Sequence, residues 1–264
     1  MSNRVVQASQ TDAINAHVDR LYLLEEFKKK PMVNVDIVID PDADDATVLA
    51  RFVTANRDFE VLGSGASRDD VTFHAGGGIQ LQTDGGGTNS VIILPHLDPD
   101  QTQWTKAEWN TSQSPSIGCT MRTSSAITAM KIWFGLKLTN TDVVATDNDS
   151  VFFRYDSDTT INGGRWQYIT VDASRAATGE LKGQDDETLD TGLALAASTT
   201  YKLEIKVDSG RVPTFYINDR AYGQGTALAA DKDLIPYFGV LEAEGSAKTV
   251  RLFKIWASMN YHDG

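Results

Sequence analysis

Cysteine is all but missing from this chain: Cys119 stands alone among 264 residues. A single thiol cannot close an internal disulfide, so folding must rest on an ordinary core and is compatible with a reducing compartment. One cysteine and four scattered histidines offer no zinc-ligand spacing either. Long apolar runs are also lacking. Stretches such as VIIL at residues 91–94 are far shorter than the roughly 20 residues of a membrane-spanning helix. The opening MSNRVVQASQ has no apolar core of a signal peptide, so no membrane association is expected.

Basic residues are the next shortage. Lysine and arginine total 24 against 36 acidic residues, a formal net charge of −12. Nucleic-acid binding draws on cations that neutralise phosphate, so no nucleic acid is expected as a partner. The balance fits a self-repelling soluble surface or one that docks on a basic partner. A chain of this length can bury an ample core as one large β domain or two smaller ones.

What is present divides in two. SQTD at residues 9–12 has the form of a capping box, and Ile14, Val18, Leu21 and Leu24 follow at helical spacing with Leu23 and Phe27 beside them. Three lysines and Pro31 then suit a helix end. The pattern predicts an amphipathic helix over residues 11–29, roughly 27 Å long. Its stripe must be covered, either by its own domain or by a neighbouring subunit. Ile14, Val18, Leu21, Leu24 and Phe27 are accordingly the candidate contacts to an oligomer partner or a larger assembly. Residues 1–57 read as an arm containing this helix and an extended connector, and residues 58–264 as a separate sandwich that folds without residues 1–30.

The second part reads as a dozen or so short alternating runs separated by Gly, Asn, Asp, Ser and Pro, the signal of an antiparallel sandwich. In YKLEIKVDSGRVPTFYIND, Tyr201, Leu203, Ile205 and Val207 share one face, and Lys202, Glu204, Lys206 and Asp208 the other. The three residues DSG make a turn with Gly210 left-handed. That register sends Phe215 and Ile217 into the core. Pro213 asks for an edge strand or a bulge. The polar stretch at residues 175–192 reads as an exposed loop.

No catalytic set emerges. Glycoside hydrolysis needs two acids across the scissile bond, and no E-x-D-x-x-E run occurs. Glu204 with Asp208, and Glu242 with Glu244, could share a face, but surface or structural roles suit them better. DPDADD at residues 40–45 departs from the EF-hand pattern, with Asp45 and Arg51 where Gly and Glu belong. An irregular calcium loop or a plain acidic turn are the alternatives there. TDNDS at residues 146–150 reads as an Asx-stabilised turn. No nucleophile elbow is present, and the triplets Gly76–Gly78 and Gly85–Gly87 read as turns, not as a phosphate loop. No cofactor and no catalytic residue are expected. Among five tryptophans, Trp104 and Trp109 lie in a loop-like stretch and are the glycan-binding candidates; Trp133 and Trp256 sit in alternating strands as core or interface.

Several phrases carry a resemblance. YKLEIKVDSGRVPTFYIND followed by LIPYFGVLEAEGSAKTVRLFKIWAS resembles the closing strands of concanavalin A-like lectin/glucanase jelly rolls of the laminin-G-like kind. IWFGLKLTNTDVVATDNDSVFFRYD is similar to middle strands of such modules in tailed-bacteriophage structural proteins. The resemblance covers about residues 58–260. It implies an all-β antiparallel jelly roll and a virion component, made in the host cytoplasm. The expected role is a capsid decoration (cement) protein, a dimer or trimer bound to the major capsid protein. The alternative is a head- or tail-fibre module that adheres to host-surface glycan. The glucanase acid motif is missing, so no enzyme activity is implied. No lectin metal-ligand pattern matches, so no binding residue is carried over.

Overall fold

The computed structural model describes residues 20–28, 32–34, 50–54, 57–64, 66, 70–95, 109–138, 149–157, 163–171 and 190–260. Among them are eighteen strands, a 3-10 turn at Thr111–Gln113 and no α-helix. In chain order the first nine strands are β1 (Arg20–Glu26), β2 (Met32–Asn34), β3 (Ala50–Thr54), β4 (Arg57–Leu62), β5 (Val71–Phe73), β6 (Ile79–Gln82), β7 (Ser90–Pro95), β8 (Trp109–Asn110) and β9 (Ser116–Thr123). The second nine are β10 (Met130–Lys137), β11 (Ser150–Asp156), β12 (Arg165–Val171), β13 (Asp190–Ala194), β14 (Thr200–Val207), β15 (Pro213–Ile217), β16 (Arg220–Gln224), β17 (Asp233–Glu242) and β18 (Thr249–Asn260).

They form two sheets. One has eight strands in the order β16-β15-β14-β9-β18-β6-β5, with β1 also on β18. The other has ten, β13-β12-β11-β10-β17-β7-β4-β3-β2, with β8 also on β17. Their facing side chains make one continuous core. Rings meet across it: Phe153 of β11 stands edge-on to Phe215 of β15 at 5.2 Å, and Trp166 of β12 to Tyr201 of β14 at 5.7 Å. Such geometry suits the ring quadrupole. The protein is an antiparallel β-sandwich, as the alternating runs require.

The hairpin register is the expected one. Tyr201, Leu203, Ile205, Val207, Phe215 and Ile217 are all buried. The turn differs by one residue: Arg211, at φ +64°, is the left-handed residue, and Gly210 is not. The Arg211 N–H donates to the Asp208 carbonyl, and its guanidinium Nε donates to the Leu228 carbonyl. Strand β15 is internal, with β16 as the edge, and its register shifts between Phe215 and Tyr216. Pro213 is tolerated because it opens the strand.

The N-terminal helix is corrected over its described part. Residues Arg20–Glu26 are a strand that pairs with β18 from Arg20↔Asn260 to Glu26↔Lys254. The cause is a vacant edge. Strand β6 pairs with β18 only from Thr249 to Leu252, so the far half of this long strand has free backbone groups that β1 satisfies. Strands β2 and β3 likewise enter the ten-stranded sheet, so the sandwich takes in residues before position 57.

Strands β10 and β11 are buried on both faces. Ile132 and Phe134 face the core, while Trp133 belongs to a second cluster with Phe152, Tyr237, Ile92 and Ile169 on the sheet's outer side. This is why their sequences read as near-continuous apolar runs.

Candidate functional site

The outer face of the eight-stranded sheet follows from alternation. With Tyr201, Leu203, Ile205 and Val207 inward on β14, Lys202, Glu204 and Lys206 must point outward. The same parity turns out Gly118, Thr120 and Arg122 on β9, Arg251, Lys254 and Trp256 on β18, and Arg20, Tyr22, Leu24 and Glu26 on β1. The register aligns one transverse row: Tyr216↔Glu204↔Gly118↔Trp256↔Leu24.

Two aromatic side chains anchor that row. The Trp256 indole lies over Gly118, so close that a Cβ there would come within 2.0 Å of Cζ2. The Lys202 and Lys254 ammonium groups stand 5.6 and 5.2 Å from its ring centroid. Lys206 stands 4.9 Å from the Tyr216 ring and pairs with Glu204 at 3.4 Å. Both arrangements are cation–π contacts at a sheet surface. Tyr22, on the next row, is the most exposed large apolar side chain among the described residues, at 37%. Burial chiefly, then the charges of Glu204 and Glu26, holds its phenol above the ordinary value.

A carboxylate closes one end. Asn218 and Asp219 both have positive φ, 49° and 66°, in the turn between β15 and β16. The Asn218 side chain accepts from the Lys202 N–H at 2.9 Å, and its own N–H donates to the Lys202 carbonyl. This brings the Asp219 carboxylate onto the Lys202 ammonium. Asp219 is held below the usual carboxylate value chiefly by that bond, with further help from the charges of Lys202, Lys206 and Lys254. Lys202 is raised in turn, first by the same bond.

The face carries an unexpected sign. Arg20, Arg122, Lys202, Lys206, Arg251 and Lys254 occupy outward positions against Glu26 and Glu204, in a chain of net charge −12. Arg122 and Arg251 are direct cross-strand partners, on a row otherwise made of Thr200, Gln80 and Thr72.

The outer face of the ten-stranded sheet is also aromatic and polar, but closed. Trp133 lies 3% exposed beside Arg154 and Gln167, each 1% exposed, and Arg154 Nε donates to Gln167 Oε1 at 2.8 Å. Solvent does not reach these groups; on the other sheet Trp256 keeps 7% exposure while Tyr216, Lys202 and Lys206 are half-buried or exposed, so that face is the more open candidate.

The sites expected from sequence are dispersed. Trp109 is a core residue at 1% exposure, held on β8 opposite Leu234. It cannot stack on a glycan. Trp104, Ile14 and Val18 lie outside the described residues. Leu21 and Phe27 pack toward the core, Phe27 6.0 Å from Phe59, whereas Leu24 faces outward beside Trp256. A helix would have put Leu21 and Leu24 on one face; the strand puts them on opposite faces. Phe27, 1% exposed, cannot contact another subunit.

The acid pairs do not converge. The Asp208 carboxylate caps the β14–β15 turn by accepting from the Val212 N–H at 2.8 Å. Glu242 is fully buried, accepting from Thr83 Oγ1 and from the Gly87 N–H, while Glu244 is exposed. Residues 40–45 lie outside the described residues, as does 146–148 of the second acidic stretch. Among the described residues no group of three His, Cys, Asp or Glu side chains is arranged to hold a metal ion.

No protein-family model matches the chain, and no curated protein sequence does. Solved structures do. The potassium-bound carbohydrate recognition domain of Emp46p superposes with a TM-score of 0.50 at 12% identity, over 88% of this chain and 98% of that one. An endo-acting O-glycanase structure connected with mucin breakdown by human gut microbiota gives 0.55 at 5% identity, over 90% and 98%. A native glycosidic hydrolase gives 0.52 at 10%, over 89% and 94%. The fold is the concanavalin A-like jelly roll. At such identities the likeness is one of architecture, shared by lectins and glycosidases alike.

Proposed function

We propose that this protein is a non-catalytic, carbohydrate-binding module of concanavalin A-like fold, working through the outer face of its eight-stranded sheet. The observation that carries the reading is the row in which Tyr216, beside the Lys206 ammonium, and Trp256, 7% exposed beneath those of Lys202 and Lys254, face outward with Glu204 and Gly118 between them. Aromatic faces pack against the apolar faces of sugar rings, and lysines donate to hydroxyl and acidic oxygens. Architectural likeness to a carbohydrate recognition domain supports it.

Hydrolysis finds no support on that face. Of its carboxylates, Glu204 on β14 and Glu26 on β1 are separated by three strand spacings, about 14 Å, and Asp219 is bound to Lys202. Glycosidases place their acids roughly 5–9.5 Å apart. Glu204 is moreover paired with Lys206.

The test is a glycan array probed with the intact protein and with Trp256→Ala and Tyr216→Ala. Saccharide binding that both substitutions weaken, with no chain cleavage on prolonged incubation, is the expected result. A blank array, or binding indifferent to both changes, would overturn the reading.

A further inference from the structure

We infer that the saccharide taken by this face is a carboxylate-bearing, uronate-type polysaccharide, and that Asp219 occupies its anchoring position in the free protein. This rests on the carbohydrate-binding reading above and adds the ligand's chemistry.

Charge complementarity is the first argument. A face with six cations on outward positions against Glu26, Glu204 and the turn carboxylate of Asp219 stands out on a chain with a net charge of −12. Such a face attracts anionic segments locally, while the overall negative charge disfavours duplex DNA, whose one charge per about 1.7 Å is far denser than one carboxylate per sugar ring.

Asp219 is the second. A carboxylate already sits among Lys202, Lys206 and Lys254, and its pairing with Lys202 shows which functional group the cluster accepts. The side chain is 72% exposed, so this ion pair contributes little to stability and a ligand carboxylate can displace it at small cost.

Arg122 and Arg251 are the third. Like charges directly opposite on adjacent strands repel. Desolvation, and then the charge of Arg122, depresses Arg251, and no carboxylate shares their row. That row lies two residues along β9 and β14, and three along the bulged β18, from the one carrying Lys202 and Lys254, about 7 Å away. The aromatic row lies two residues further along β9, beyond the lysines, so a chain running along the strands sets one ring on the aromatic row and its carboxylates at the lysine and then the arginine row.

The experiment is calorimetric titration of the full chain with hexamers of galacturonate, mannuronate and glucuronate, with their carboxyl-reduced neutral counterparts, with a poly-glutamate peptide and with a DNA duplex. Variants are Asp219→Asn, Asp219→Gly (which suits the turn) and the pair Lys202→Gln with Lys254→Gln, each checked by thermal melt. The expected result is binding of at least one uronate hexamer, weakened by added salt. It should tighten several-fold in both Asp219 variants and loosen at least about tenfold in the lysine pair. Equal binding of the neutral hexamers would overturn this inference and leave the carbohydrate reading standing. No binding of any saccharide would overturn both. Poly-glutamate or DNA bound as tightly as uronate would make the face a site for another class of macromolecule, and unchanged affinity in the Asp219 variants would remove its assigned role.

Discussion

Trp256 rests on Gly118. The two are cross-strand partners on β18 and β9, and the glycine's missing side chain is the space the indole fills. Gly118→Ala must therefore push the ring off the sheet, since a Cβ would sit 2.0 Å from Cζ2 and 2.2 Å from Cε2. The expected cost is about 2 kcal/mol of stability, typical of overpacking. Denaturant titration reads the loss, and a red-shifted tryptophan emission reports the exposed ring. A variant with wild-type stability and emission would show that the indole does not lie there.

The N-terminal segment gives the second prediction. Phe27 is buried against Phe59, its N–H donates to the Phe253 carbonyl, and its carbonyl accepts from the Gly78 N–H. Leu23 is buried two positions before the strand's end at Glu25–Glu26. Phe27→Ala should cost about 3–5 kcal/mol, the usual range for a buried aromatic. Removing residues 1–30 takes away a whole strand and exposes the edge of β18. It should lower the melting temperature sharply and promote aggregation, contrary to the sequence expectation of a detachable arm. An unchanged melt for the truncated chain would refute the strand.

The contrast between these two regions shows what a local pattern can carry. The β14–β15 hairpin was legible because period-2 alternation and a short turn lie within nineteen consecutive residues, Tyr201 to Asp219. For β1 the local signal favoured a helix, and the deciding partner is β18, more than two hundred residues away. A strand's preference depends on the surface it meets, which no window of sequence contains. The candidate face was hidden for the same reason. Tyr216, Glu204, Gly118 and Trp256 become one row only through pairings between four strands. The alternation of YKLEIKV turns its lysines outward, but the proximity of Lys202 to Trp256 and of Lys206 to Tyr216 is a property of the register. Trp109 misled because a loop-like composition concealed a two-residue strand against β17.

Glu242 supplies a third prediction. Its fully buried carboxylate ties β17 to the glycine-rich turn through Gly87 N–H and Thr83 Oγ1, and Thr83 Oγ1 in turn accepts from Lys248 N–H. Glu242→Leu leaves a buried hydroxyl and a backbone N–H without acceptors, at a cost of about 2–3 kcal/mol. Glu242→Gln keeps one acceptor and should cost less. The order Leu worse than Gln in chemical denaturation is the check; a reversed order, or stabilisation by Leu, would mean the carboxylate is not an anchor.

Cys119 ties protonation to folding. It is fully buried on the core side of β9, and burial pushes its thiol well above the ordinary value, against a smaller opposing effect of the Leu203 backbone. In the unfolded chain the thiol ionises at about pH 8.5. The folded state thus keeps its proton where the unfolded state loses it, so unfolding releases a proton once pH exceeds that value. This contribution to stability is fully present below about pH 8.5 and declines as pH rises beyond it. A thiol reagent at pH 8 should label the native protein only as fast as it opens, and label it at once in denaturant. Cys119→Ala should flatten the alkaline decline measured by denaturant titration at pH 7, 9 and 10. Rapid labelling of the native chain, or an alkaline decline unchanged in Cys119→Ala, would place the thiol outside the core.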